Sequence, residues 1–147
     1  MTGHFRAAYA GTAIGAVALL VAACSPSDGI REDAEAYDGI ELQDIVTLIG
    51  TEPFWSFEIN GESATYATPE NPDGTMIAIE RFAGNNGLGY SGELEGQPLQ
   101  ITVTPGECSD AMSDRVYPFT ATISLGETTL FGCGYSTSEP FIGEEAP

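Results

Sequence analysis

The stretch that decides the fold is F-W-S-F-E-I-N-G, from Phe54 to Gly61. Trp55, Phe57 and Ile59 fall on one face of an extended chain, and the intervening positions fall on the other. This period of two is typical of a half-buried β-strand. Asn60-Gly61 follows at once and favours a tight hairpin, because both residue types readily adopt positive φ. The stretch therefore predicts a strand, a two-residue turn and an antiparallel neighbour.

The same pattern recurs between turn signals along the rest of the chain. Gly126-Glu127, for example, predicts a tight turn between two alternating runs. No internal repeat and no long helical period interrupts the series. The sequence predicts an all-β fold, a small antiparallel barrel or sandwich of about seven or eight strands with one disulfide. The strands are expected at 45–49, 54–59, 63–68, 75–82, 88–94, 99–104, 117–125 and 128–134.

Two cysteines, Cys108 and Cys133, lie within the predicted strand region. An even count in an exported protein favours a disulfide, although a reactive thiol is the alternative. If Gly126-Glu127 forms the hairpin turn, Cys133 lies opposite about Thr120. The segment from 105 to 114 must then fold back toward the sheet to bring Cys108 within reach.

Composition excludes several classes of function. The chain has 22 Asp and Glu, four Arg and Lys combined and one His, and every one of those four cations is Arg. Once a leader that contains His4 is removed, neither a His-based triad nor a lysine Schiff base can form. A histidine zinc site is excluded in the same way. The strong negative charge argues against a nucleic-acid partner, because phosphate binding depends on cations.

Residues 1–23 are predicted to form an N-terminal leader, a signal peptide that is removed on export. Residues 7–23 carry no charge, a length that is short for a membrane span and suits a signal peptide. The run ends in L-V-A-A-C, from Leu20 to Cys24, which resembles the lipobox of bacterial lipoproteins. That resemblance implies a lipid on Cys24, so the membrane becomes a partner through the anchor. A plain secretory signal or a single N-terminal anchor is the alternative.

Two further expectations concern the segment that follows. Ser25 after the cysteine resembles the sorting pattern of outer-membrane lipoproteins, so a periplasm-facing outer-membrane location is favoured over the inner membrane. Residues 24–44 contain seven acids against Arg31, and so predict an acidic flexible tether, with residues 45–147 as the β domain. Recruitment of a cationic partner by the tether, and a short helix or edge strand at 37–42, are alternatives.

Two motifs stand out as candidate binding elements. The first is G-T-E-P-F-W, from Gly50 to Trp55, and the second is C-S-D-A-M-S-D-R-V-Y-P, from Cys108 to Pro118. An arginine between carboxylates can form bidentate hydrogen bonds. The alternative is structural, a core tryptophan closing one barrel end and an ion-pair network in the loop. The candidate binding surface comprises Glu52, Trp55, Arg81, Asp110, Ser113, Asp114 and Arg115.

These two motifs, together with G-C-G at 132–134, resemble an uncharacterised family of bacterial membrane-associated lipoproteins. The resemblance covers about residues 50–134. Ala111 occupies a position where the resemblance implies glycine. The family has no assigned activity, so the resemblance implies no catalytic residues and no cofactor. It offers a distant analogy to small β-barrel lysozyme-inhibitor lipoproteins and to META domains.

The favoured function is a non-enzymatic, lipid-anchored binding module of the periplasm. Its partner could be a basic protein or another envelope component. The alternatives are an inhibitor of a cationic lysozyme-like hydrolase and a structural or stress-related envelope protein. An enzyme would need paired carboxylates, Glu52 with Glu58 or Asp110 with Asp114. No metal is expected, although Asn71, Asp73, Asp110 and Asp114 offer hard oxygen ligands for calcium.

The lipid anchor gives a first prediction. Cys24→Ala should release the protein from the membrane fraction, because the thiol that carries the lipid is removed. The measurement is fractionation of cell envelopes with detection of the protein, and Cys108→Ala, which keeps the lipobox, is the control. Retention of the Cys24→Ala protein in membranes would contradict the anchor.

Overall fold

The structure, a computed structural model, describes residues 35–143. These residues form eight β-strands, and each strand pairs antiparallel with its neighbour in sequence. The strands are β1 (Ile45–Thr51), β2 (Phe54–Asn60), β3 (Ser63–Thr68), β4 (Asn71–Gly84), β5 (Gly87–Leu94), β6 (Gln97–Cys108), β7 (Tyr117–Leu125) and β8 (Thr128–Ser136).

Pairing of β8 with β1 closes the sheet into a barrel. The register of this pair runs from Val46 opposite Ser136 to Ile49 opposite Cys133. A closed barrel satisfies the backbone hydrogen bonds of its first and last strands, which would otherwise be open edges. The prediction of a small antiparallel β-barrel is confirmed, and the alternative prediction of a β-sandwich is wrong.

The barrel interior is filled by the apolar faces of the strands. Trp55, Phe57 and Ile59 are 4%, 0% and 2% exposed, which confirms the alternation read in β2. The corresponding faces of β6 and β7 contribute Leu99, Ile101, Val103, Phe119, Ala121 and Ile123. Since side chains occupy the centre, the surfaces available to a partner lie on the outside of the barrel.

Two turns differ from the prediction. The β2–β3 loop consists of Gly61 and Glu62, because Asn60 already pairs with Ser63, and of these only Gly61 has positive φ, at 60°. The loop before β4 is also shorter than predicted. Thr68 pairs with Asn71, so β4 begins four residues earlier than the sequence pattern indicated.

Residues 37–44 form a plug at the barrel end where β4 turns into β5; we call this segment the N-terminal plug. Ile40 is 1% exposed and belongs to the core. The Tyr37 amide donates to the Gly84 carbonyl at 2.7 Å, and Arg81 Nη2 donates to the Ile40 carbonyl at 2.7 Å. This differs from the expectation of a flexible tether up to residue 44. The density of acids predicted disorder, but Asp38 and Glu41 are exposed while Ile40 fills the barrel end, so the segment is charged and folded at once.

Asp44 fastens the plug to the chain that follows β8. Its carboxylate accepts hydrogen bonds from Ser138 Oγ at 2.7 Å and Thr137 Oγ1 at 2.8 Å. The bond from Ser138 and the bond from the Glu41 amide hold the pKa of Asp44 below its ordinary value. The plug is thus held by apolar packing on one side and by a charged cap on the other.

The leader, the lipidation site Cys24 and residues 24–34 of the predicted tether lie outside the described residues, and so remain predictions. Within residues 35–143, no helix has both the length and the apolar character that a membrane crossing requires.

The plug gives a second prediction. Ile40→Ala should lower the free energy of unfolding by about 2–4 kcal/mol, because it leaves a cavity in the core. Denaturant unfolding followed by Trp55 fluorescence measures this. Leu42→Ala is the matched control, since Leu42 is 70% exposed and its truncation should change little. Equal effects of the two substitutions would show that the plug is not part of the folded domain.

Candidate functional site

A disulfide brings the second motif onto the outer face of the barrel. Cys108 and Cys133 are bonded, with their Cα atoms 5.5 Å apart, which confirms the predicted pair. Cys133 lies opposite Thr120, also as predicted, and the β6–β7 register shifts between Pro105 and Cys108. The bond draws residues 109–116, which we call the disulfide loop, across the outer surface of β8.

The disulfide loop then reaches the first motif. Thr51 Oγ1 donates to the Asp110 carbonyl at 3.3 Å, a contact between residues 59 positions apart. Thr51 is the last residue of β1 and leads into the turn formed by Glu52 and Pro53, which are joined by a cis peptide bond. The two motifs singled out in the sequence therefore meet at one place on the surface.

Asp110 is the residue that shapes the disulfide loop. Its carboxylate accepts hydrogen bonds from the amides of Met112 and Ser113, from Ser113 Oγ at 2.8 Å and from Tyr117 Oη at 3.2 Å. Burial alone would raise the pKa of this carboxyl, but the four bonds together lower it to about 2. The side chain is a structural anchor and not a free acid.

Ala111 sits inside this anchored turn with φ at 60°. This left-handed conformation favours glycine, because a Cβ clashes with the backbone there. The resemblance implied glycine at the same position, and the chain keeps alanine. The hydrogen bonds that Asp110 accepts from the two amides after Ala111, those of Met112 and Ser113, hold the turn in this shape.

Between the disulfide loop and β1–β3 lies a groove of about 500 Å³, which we call the motif groove. Two large apolar side chains stand exposed along it, Phe54 at 53% and Met112 at 67%. Phe54 belongs to the first motif and Met112 to the second. The remaining lining is mainly small or apolar and includes Ile49, Ala67, Pro69 and Pro72.

Trp55 forms part of the wall of the motif groove but is itself a core residue. Its indole lies against the backbone of Gly50 and Gly132, where a Cβ would come within 2.1 Å and 2.8 Å of the ring. Its ring also packs edge-on against Phe57 at 5.9 Å. The Nε1 atom has no hydrogen-bond partner among residues 35–143. The structure thus supports the alternative in which Trp55 packs into the barrel, here next to the groove.

The two arginines of the domain occupy separate places. Arg81 lies in the barrel end beneath the N-terminal plug and is not part of the motif groove. It also hydrogen-bonds Tyr90, whose pKa is raised by burial and lowered in part by this bond. Arg115 stacks on Phe141 with its Cζ atom 4.4 Å from the ring centroid. Arg81 therefore does not join the candidate surface that the sequence suggested.

The remaining predicted site residues lie beside the groove or within the disulfide loop. Glu52 is exposed in the β1–β2 turn, Ser113 donates to Asp110, and Asp114 is exposed on the loop. Within the described residues, no group of three or more His, Cys, Asp or Glu side chains is placed to hold a metal ion. The calcium alternative thus gains no support from Asp73, Asp110 and Asp114.

Phe54 and Met112 were not among the binding residues predicted from the sequence. A signal for Phe54 was present, because it is an apolar residue on the otherwise polar face of an alternating strand. Met112 is likewise a large apolar residue in a loop where Ser, Asp and Arg predominate. What the pattern could not show is that the two lie beside the same groove.

Comparison with known protein families, with curated proteins and with solved structures finds no match for this chain. The resemblance to a lipoprotein family remains a prediction based on the two motifs.

The lowered pKa of Asp110 gives a third prediction. A carboxyl with a pKa of about 2 in the folded protein, below its unfolded value, stabilises the fold above about pH 4 and loses this effect as pH falls toward 2. Asp110→Asn should cost about 1 kcal/mol at pH 7, a value discounted for solvent screening, and much less near pH 2.

Urea unfolding of both proteins between pH 2 and pH 7 checks this. Asp114→Asn is the matched control, since Asp114 is exposed on the same loop. A stability difference that does not change with pH would show that the charge of Asp110 is not what anchors the loop.

Proposed function

We propose that this protein is a lipid-anchored lipoprotein of the bacterial envelope and that its barrel is a non-enzymatic binding module. One observation carries the proposal of binding: two motifs, joined by a contact over 59 positions, converge on a groove with exposed Phe54 and Met112. An apolar surface of this kind commonly marks an interaction site. The anchor rests on the L-V-A-A-C motif, which precedes the described residues.

Binding is favoured over catalysis by the state of the carboxylates. Asp110 has a pKa of about 2 and four internal donors, so it is a poor general base at neutral pH. Glu58 lies on the exposed face of β2, six positions from Glu52. The extended part from Phe54 to Glu58 spans roughly 13 Å by itself, and Glu52 lies beyond Phe54 in the turn, whereas paired glycosidase carboxylates lie about 5–10 Å apart.

Inhibition of a hydrolase by an inserted cation is the weaker alternative. Arg81 donates to the Ile40 carbonyl beneath the plug, and Arg115 stacks on Phe141. Both guanidinium groups are used inside the protein, which counts against either one filling an acidic cleft. A structural or stress-related envelope role remains an alternative that no observed contact favours.

The experiment is site-specific photo-crosslinking in cells that export the protein. A photoreactive amino acid at position 112 should form a discrete adduct with a partner, and one at position 82 should not. Phe82 is a suitable control because it is 69% exposed, close to the 67% of Met112. Phe54→Ser should reduce the adduct at position 112. Absence of an adduct, or the same adduct at both positions, would argue against binding at the motif groove.

A further inference from the structure

We propose that the motif groove binds an extended peptide segment of a partner protein in which an apolar side chain is flanked by Lys or Arg. This inference rests on the proposed binding function and adds the chemical class of the partner. Three features of the described residues carry it: the apolar floor of the groove, the charge around it and the closure of the barrel.

The floor of the groove supplies a place for an apolar side chain. Phe54 and Met112 are more than half exposed, and Pro69 and Pro72 line the same groove. Covering these side chains removes apolar surface from water, which is the main source of attraction in such contacts. The volume of about 500 Å³ accommodates one or two side chains of a peptide and is open along the surface.

The charge is supplied by exposed acids that are next to groove-lining residues in sequence, which we call the rim acids. Glu52, Glu70 and Asp73 are exposed, and each directly adjoins a groove-lining residue in sequence. No arginine, lysine or histidine lines the groove in the described part of the chain. Residues 35–143 as a whole contain 17 acids and two arginines, Arg81 and Arg115, whose guanidinium groups have partners within the protein. A cationic segment is therefore attracted, and an anionic one is repelled.

The same charge argues against other occupants. A second copy of this chain would bring the same excess of acids to the groove, as would its own C-terminus with Glu144 and Glu145. Strand addition is disfavoured as well, because β8 pairs with β1 and each of the eight strands has a neighbouring strand on both sides. Recognition is then expected to use side chains, an apolar one in the groove and cationic ones against the rim acids.

The test uses the purified full-length protein and a short synthetic peptide of lysine and leucine. Trp55 is the only tryptophan of the chain and lines the groove, so its emission reports binding there. We expect the peptide to bind and to change this emission, with affinity that falls as salt rises from about 50 to 300 mM. A peptide with glutamate in place of lysine should not bind. One with serine in place of leucine should bind at least about tenfold more weakly.

Matched variants locate the binding site. Phe54→Ser and Met112→Ser should each weaken binding about fivefold or more, as expected for apolar anchors of an interface. Phe82→Ser and Met76→Ser remove apolar side chains elsewhere that are even more exposed, and they should have no effect. All four positions are on the surface, so thermal unfolding should confirm that each variant stays folded.

A second pair of variants separates rim charge from total charge. Glu52→Gln, Glu70→Gln and Asp73→Asn together should weaken binding more than Glu80→Gln, Glu93→Gln and Glu127→Gln together. Both sets remove three exposed acids, so the overall charge changes by the same amount. If the two sets had equal effects, or if all variants bound equally well, the interaction would be non-specific electrostatic attraction by the net negative charge. Either result would overturn the inference.

The outcome can be separated from that of the crosslinking experiment. If position 112 crosslinks to a partner in cells but the cationic peptide does not bind, the binding module stands and the cationic segment is wrong. If the glutamate peptide binds as well as the lysine peptide, the charge argument fails. A last comparison uses the protein without peptide, before and after the residues that precede position 35 are cleaved off. If cleavage alone changes the Trp55 emission and the lysine peptide binds only afterwards, the occupant is the chain's own N-terminal part and the inference is overturned.

Discussion

Pairing of β8 with β1 is the constraint on which the rest of the structure depends. It satisfies the two strands that would otherwise be edges, and it also sets Cys133 opposite Ile49. The disulfide at Cys133 therefore delivers the loop after Cys108 to the outer face of β1, where Asp110 receives the hydrogen bond from Thr51. Without closure, the two motifs would lie at distant points of an open sheet and could not share a groove.

Charge has three different roles in this chain. On the N-terminal plug, acids face the solvent while Ile40 enters the core, so a segment rich in charge is nevertheless folded. In the disulfide loop, the Asp110 carboxylate accepts hydrogen bonds from groups of the same loop. It thereby stabilises a turn in which Ala111 has a left-handed backbone conformation. Next to the motif groove in sequence, the rim acids Glu52, Glu70 and Asp73 are exposed and available to a partner.

Phe54 and Trp55 are adjacent residues of one motif with different roles: Trp55 packs in the barrel core, and Phe54 lies on the surface. Trp55 points inward and lies on two glycines, whose lack of a Cβ makes room for the indole. Phe54 points outward and is 53% exposed, although it is just as apolar as a core residue. The hydrophobic effect explains the first position directly, whereas the second position places an apolar ring on the wall of the motif groove. The motif thus joins the barrel core to the proposed binding surface.

The sequence by itself determined most of the strands and their alternation, because these depend on local periodicity, and the even number of cysteines in the domain favoured the disulfide. The positions of Trp55, Phe57 and Ile59, and of Cys133 opposite Thr120, follow from such local rules. Only the tertiary structure decided that Ile40 enters the core and that Phe54 and Met112 share a groove. It also decided that Arg81 lies away from them. These outcomes depend on closure of the barrel and on contacts such as Thr51 with Asp110, and no local pattern encodes contacts between residues 59 positions apart.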